Sequence, residues 1–167
     1  KDNMTIIVKN KHTLQIDEFK FRCCIGKNGS TRRKIEGDKK TPKGTFEIEN
    51  LYFRKDRKQK PSTLLKCIEI KKDMGWCNDS RFQKKYNKLF KVGEKIRHEK
   101  LKRKDHKYDF LIPIKYNFKK PITGRGSCIF IHLTENYKPT AGCIALKEKD
   151  FLIMLKLIKK NSKIKII

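Results

Sequence analysis

The chain has 167 residues, 44 Lys and Arg against 18 Asp and Glu, and a formal net charge of +26 at pH 7. That length fits one domain, because a chain of this size buries roughly two-thirds of its unfolded surface, and ten Phe and five Tyr supply core material that a disordered chain lacks. No run approaches the roughly eighteen apolar residues of a helical membrane span, so none is expected.

In chain order the pattern predicts a largely β protein. The opening KDNMTIIVKN has neither the apolar h-region nor the cleavage site of a signal peptide, so any export signal is expected to lie outside it. MTIIV (4–8), TLQI (13–16) and FKFRCCIG (19–26) are β-branched or alternating runs separated by short polar turns, an N-terminal meander. KNGSTRRKIEGDKKTPKG (27–44) has Gly and Pro punctuation without periodicity and reads as an ordered loop. TFEIENLYF (45–53) resumes the alternation. The segment 71–110 is more polar and is expected to be a helical or irregular insertion over the sheet. YDFLIPIKYN (108–117) and SCIFIHL (127–133) look like buried central strands. DFLIMLKLIKK places Phe151, Leu155 and Ile158 on one helical face, and KIKII closes the chain as a strand.

The charge is a weak sign of nucleic-acid binding. Of the basic residues 35 are Lys and 9 are Arg, whereas specific phosphate and base recognition leans on the guanidinium fork. No nucleic-acid partner is expected. The cysteines at 23, 24, 67, 77, 128 and 143 form no CxxC pair, and His12, His98, His106 and His132 do not sit at ligand spacing to them, so no metal is expected. A disulfide framework is open in an oxidising compartment, but most of these thiols read as small core residues.

His132 ends an apolar strand, and Cys143 follows eleven positions later in the turn TAG-C. A thiol becomes a nucleophile as thiolate, and an imidazole can take its proton. If the residues between them loop back to the same sheet edge, the two form a catalytic pair, with amides at Gly142 and Cys143 facing a developing oxyanion. A core thiol and a hydrogen-bonded strand histidine fit the same spacing. A thiolate–imidazolium pair would make Cys143 the fastest of the six thiols to alkylate at pH 6.

EGDKKTPKGTF (36–46), GWCNDS (75–80), Tyr86-Asn87, YDFLIPIKYN, GRGSCIFIH (124–132) and PTAGCIAL (139–146) together resemble the YkuD-type L,D-transpeptidase family, in its short single-domain branch. The resemblance spans nearly the whole chain in the right order. It implies one catalytic domain over 1–167, mainly β with peripheral helices, a β-sandwich or barrel. It also implies a monomeric bacterial enzyme of the periplasm or cell envelope that needs no cofactor and acts on peptidoglycan stem peptides as donor and acceptor. Cys143 is then the nucleophile, His132 the acid–base group and Gly142 an oxyanion donor, while the Leu133 carbonyl orients the imidazole.

Arg125, Trp76, Thr140 and Ser127 are expected to contact substrate. Arg125 also fits a solvated turn, Trp76 fits a core position, and Asp38, Thr41, Pro42 and Gly44 fit a loop held beside the cleft. The chain departs from the family's commoner pattern at Leu133, Ala141 and Ala145, where that pattern has Gly, a His or Ser-His, and Arg. An L,D-carboxypeptidase or a cross-link-cleaving endopeptidase would share the same catalytic residues. A basic binding module for nucleic acid or an anionic polymer would not need Cys143.

Overall fold

The computed structural model describes residues 5–93 and 95–167; Met4, where the first strand is expected to begin, lies outside them. The strands are β1 (Thr5–Lys9), β2 (Thr13–Ile16), β3 (Phe19–Arg22), β4 (Ser30–Thr31), β5 (Thr41–Pro42), β6 (Gly44–Glu47), β7 (Leu51–Phe53) and β8 (Cys67–Glu69). They continue with β9 (Met74–Cys77), β10 (Leu89–Lys91), β11 (His98–Lys100), β12 (Phe110–Pro113), β13 (Phe130–Leu133) and β14 (Ile144–Leu146). Helix α1 (Glu148–Leu157) and β15 (Lys163–Ile166) complete the chain.

Two five-stranded sheets, ordered β3-β2-β1-β15-β6 and β14-β13-β12-β7-β8, carry the fold. In the first, alternation puts one side of each strand inward: Ile6 and Val8 of β1, Leu14 and Ile16 of β2, and Ile164 and Ile166 of β15 are all buried. These side chains meet Ile112 of β12, Ile131 and Leu133 of β13, and Ile144 and Leu146 of β14 in one core. Helix α1 covers that core with Phe151, Met154 and Leu155, and Phe151 stacks on Phe110 at 6.0 Å. It is the only helix among the described residues, where peripheral helices in the plural were expected.

The central strands of the second sheet are buried on both faces, which explains why β12 and β13 read as unbroken apolar runs. One face, with Ile112, Ile131 and Ile144, enters the main core. Leu111 and Phe130 point the other way, into a smaller cluster with Tyr52, Ile70, Trp76, Leu101 and Tyr108.

The cover on that outer face is the 71–110 insertion, which forms strands where a helical or irregular segment was expected. It holds a three-stranded antiparallel sheet, β10-β9-β11, in which Leu89 pairs with Trp76 and Glu99 pairs with Trp76 from the other side. Leu89, Met74 and Trp76 all pack into the smaller cluster, so the segment is held by cross-strand pairing around one aromatic rather than by a helical stripe.

Candidate active site

Sheet geometry brings His132 and Cys143 together. Strands β13 and β14 run parallel, with Ile131 beside Ile144 and His132 beside Ala145. Side chains alternate along a strand, so His132, Ala145 and Cys143 share one face. It is the outer face, under the insertion, because Ile131, Ile144 and Leu146 take the inner one. Residues 134–143 form the crossover. The chain just after β3 ties down both this crossover, by Gly26 opposite Thr140, and β14, by Cys24 opposite Ala145.

Both residues line a cavity of about 230 Å³ together with Glu99, Arg103, Tyr108 and Thr140. A larger groove of about 620 Å³, lined by Lys55, Lys58, Lys60 and Cys67 among others, has no histidine in its wall.

The imidazole is held in one tautomer. His132 Nδ1 lies 2.8 Å from the Leu133 carbonyl oxygen, to which it donates, and this leaves Nε2 as the proton acceptor. Its ring also meets Tyr108 edge-on at 5.3 Å. The Cys143 thiol donates to the Cys128 carbonyl at 3.1 Å, and its sulfur accepts the Phe130 N–H at 3.4 Å. Cys128 reaches this position with φ of 57°, and its N–H is held at 3.0 Å by the Asn87 side-chain oxygen.

Burial decides the protonation states. It pushes the Cys143 thiol up to about 12 against the opposing Phe130 N–H, with the Glu99 carboxylate adding to the rise. It pulls the His132 imidazole down to about 4, and the Leu133 carbonyl only partly offsets it. The resting pair is therefore thiol and neutral imidazole. This reverses the expectation of a resting thiolate and of selective alkylation of Cys143 at pH 6.

The turn that presents Cys143 is built by the loop carrying EGDKKTP. Gly142 has φ of 143°, and a Cβ there would sit 3.0 Å from the Lys40 carbonyl oxygen. A side chain there is strained by the backbone and crowded against that carbonyl. Thr41, fully buried, donates to the Gly142 carbonyl at 2.8 Å and accepts the Gly26 N–H at 2.9 Å. Asp38 supports the same loop by pairing with buried Lys34 and accepting the Ile35 and Lys40 N–H groups. Thr41→Val strands one buried donor and one buried acceptor, so it is expected to cost about 2–4 kcal/mol in urea unfolding.

Several expected contacts are otherwise employed. Thr140 lines the cavity, but its hydroxyl donates to the Cys143 carbonyl at 2.6 Å and accepts the Gly142 N–H at 3.0 Å. The Gly142 amide is thus engaged in the resting turn rather than open to an oxyanion. Trp76 is 2 % exposed, donates to Asn87 and packs edge-on against Phe130 at 5.3 Å, so it is core and not a cleft wall. Ser127 is buried and donates to Glu36 at 2.8 Å. Arg125 is exposed on a turn outside the cavity wall. The cations that do line the cavity are Arg103 and Lys107, from the insertion, and Lys138. Glu99, Arg103 and Tyr108 carry no spacing signal toward Cys143, and only the tertiary fold brings them there. All six cysteines are free.

No curated protein matches the chain. Among solved structures it is similar to one described as the structure of Bdellovibrio bacteriovorus Bd1075, with 15% identity and a TM-score of 0.51. That alignment covers 99% of this chain and 48% of the other, so the chain spans about half the length of the structure it matches and shares its fold. The family model for the L,D-transpeptidase catalytic domain, YkuD, matches residues 1–166, and the chain accordingly belongs to the YkuD family.

Proposed function

We propose that the chain is a peptidoglycan L,D-transpeptidase that joins stem peptides by acyl transfer through a thioester on Cys143, working in the periplasm or cell envelope of a bacterium. The observation that carries this reading is the fixed tautomer of His132, whose free Nε2 belongs to the same sheet face and cavity as Cys143.

Because the resting pair is neutral, the proton leaves sulfur as sulfur attacks. Cys143 Sγ bonds to the carbonyl carbon of an L-centre in the donor stem while its proton passes to His132 Nε2. The Cys143 N–H receives the oxyanion, joined by the Gly142 N–H when that amide leaves Thr140. The intermediate collapses by breaking the C–N bond to the following D-residue, whose departing amine takes the proton back from His132. An amine of a second stem then attacks the thioester and gives its proton to His132. The thiolate leaves and is reprotonated from the imidazolium, which restores the starting pair.

Purified muropeptides incubated with the protein and read by mass spectrometry test this. Dimers of donor and acceptor support transfer. Trimmed monomers without dimers replace transfer with hydrolysis on the same residues, and unchanged muropeptides overturn the enzyme reading in favour of a binding module.

A further inference from the structure

We infer that Glu99 is the cleft's receptor for a primary ammonium group carried by the stem peptide, which makes it a specificity-determining residue of the active site. This rests on the proposed reaction and names a feature of its substrate.

Most charges in the cavity wall already have partners. Lys107 and Lys138 both turn toward Glu135, at 3.8 and 3.9 Å. Arg103 holds Asp105 through two donors, at 2.9 and 2.6 Å, and reaches Glu99 with a third at 3.3 Å. Its charge is chiefly matched by the bidentate partner. Glu99 takes that longer contact and the Tyr108 hydroxyl, at 2.6 Å, both on Oε2. Oε1 receives no hydrogen bond from the described residues, and the side chain is 31% exposed. A carboxylate in the wall of the cavity that contains Cys143, hydrogen-bonded at one oxygen and not at the other, is a seat for a cation.

A second observation points the same way. The Glu99 charge works against ionisation of the Cys143 thiol. Tyr108 and Cys128 feel the same repulsion. A wall carboxylate that opposes the nucleophile is a handicap in the empty cleft, and a bound ammonium cancels it. Charge on the substrate then favours the attack as well as the docking, and a neutral stem loses both.

Two synthetic stem tetrapeptides test the inference, one with a free lysine amine at the third position and one with that amine acetylated, each ending in D-alanine. D-alanine released in the first turnover with enzyme in excess, before any acceptor amine is needed, gives kcat/KM for acylation. Wild type is expected to prefer the free amine by about tenfold or more, as for a charge-assisted contact. Glu99→Gln keeps an acceptor for Tyr108 and Arg103 while removing the charge, so it should lose the preference: the amine substrate slows, while the acetylated one, freed of the opposing carboxylate, is processed at least as fast as by wild type. Equal slowing of both peptides, or no change in either, overturns the assignment while leaving acyl transfer intact. If wild type processes neither peptide, the proposed reaction has failed on these donors, and calorimetric binding to Cys143→Ala decides the seat separately. About tenfold tighter binding of the amine peptide, abolished by adding Glu99→Gln, supports it. Equal binding of the two peptides, or binding of neither, overturns it.

Discussion

Cys143→Ala is expected to reduce release of the terminal D-residue to background, a loss on the order of 10³-fold or more. Incubated with donor stem alone, wild type should carry an adduct equal to the donor minus its last residue, located by peptide mass mapping on Cys143 and absent from the variant. The other five thiols are poorly placed to replace it. Cys23 and Cys77 are buried. Cys24 donates to the Lys138 carbonyl at 3.3 Å, and Cys128 turns toward the Trp76 carbonyl at 3.8 Å. Cys67 faces the larger groove, where no histidine lies. An adduct on any of these, or one that survives in Cys143→Ala, would sink the assignment. Alkylation is a poorer probe than acylation here. With the thiol pushed up to about 12, iodoacetamide at pH 6 should show no preference for Cys143.

The strands were legible wherever burial on one or two faces leaves a local mark. TLQI became β2 because Leu14 and Ile16 alternate with polar neighbours, and FLIP became β12 because both faces of that strand are covered. The meeting of Cys143 with His132 was legible because a parallel neighbour strand returns Cys143 to the side of His132, and the glycine needed for that return is written in the sequence. The insertion was not legible. Its strands have three or four residues each and present mainly charged side chains to solvent, and their identity comes from pairing around Trp76. The cavity wall was missed for a related reason. Arg125 lies close to His132 in sequence but on the far side of a turn, whereas Glu99 and Arg103 arrive from more than twenty-five positions upstream through β11 and the turn after it. Adjacency along the chain favoured Arg125, whereas the arginine in the cavity wall is Arg103.

Removing the imidazole tests both halves of the electrostatic account. His132→Asn deletes the proton acceptor while keeping a polar side chain, and general acid–base catalysis of this kind contributes about 10²–10⁴-fold, so kcat/KM should fall by that factor. In wild type the base works only when neutral. Its folded value of about 4 therefore sets the acid limb, with kcat/KM lost as pH falls through about 4 rather than through the ordinary 6.5. The same shift has a stability consequence of fixed sign. Between pH 6.5 and 4 the unfolded chain binds a proton at His132 that the folded chain refuses, so acid favours unfolding across that window. The contribution is whole above 6.5, shrinks as pH falls, and has no further loss below 4; its full size is ~3 kcal/mol at 1.36 kcal/mol per unit. The carboxyls of Asp79 and Asp56 titrate well below this window because Arg81 and Arg54 hold them down, so the difference between wild type and His132→Asn isolates the imidazole. Urea unfolding from pH 7 to 4 should show the wild type losing stability faster than the variant. Parallel curves would mean that His132 is already solvated in the folded state, and an acid limb near 6.5 would say the same of the reacting enzyme.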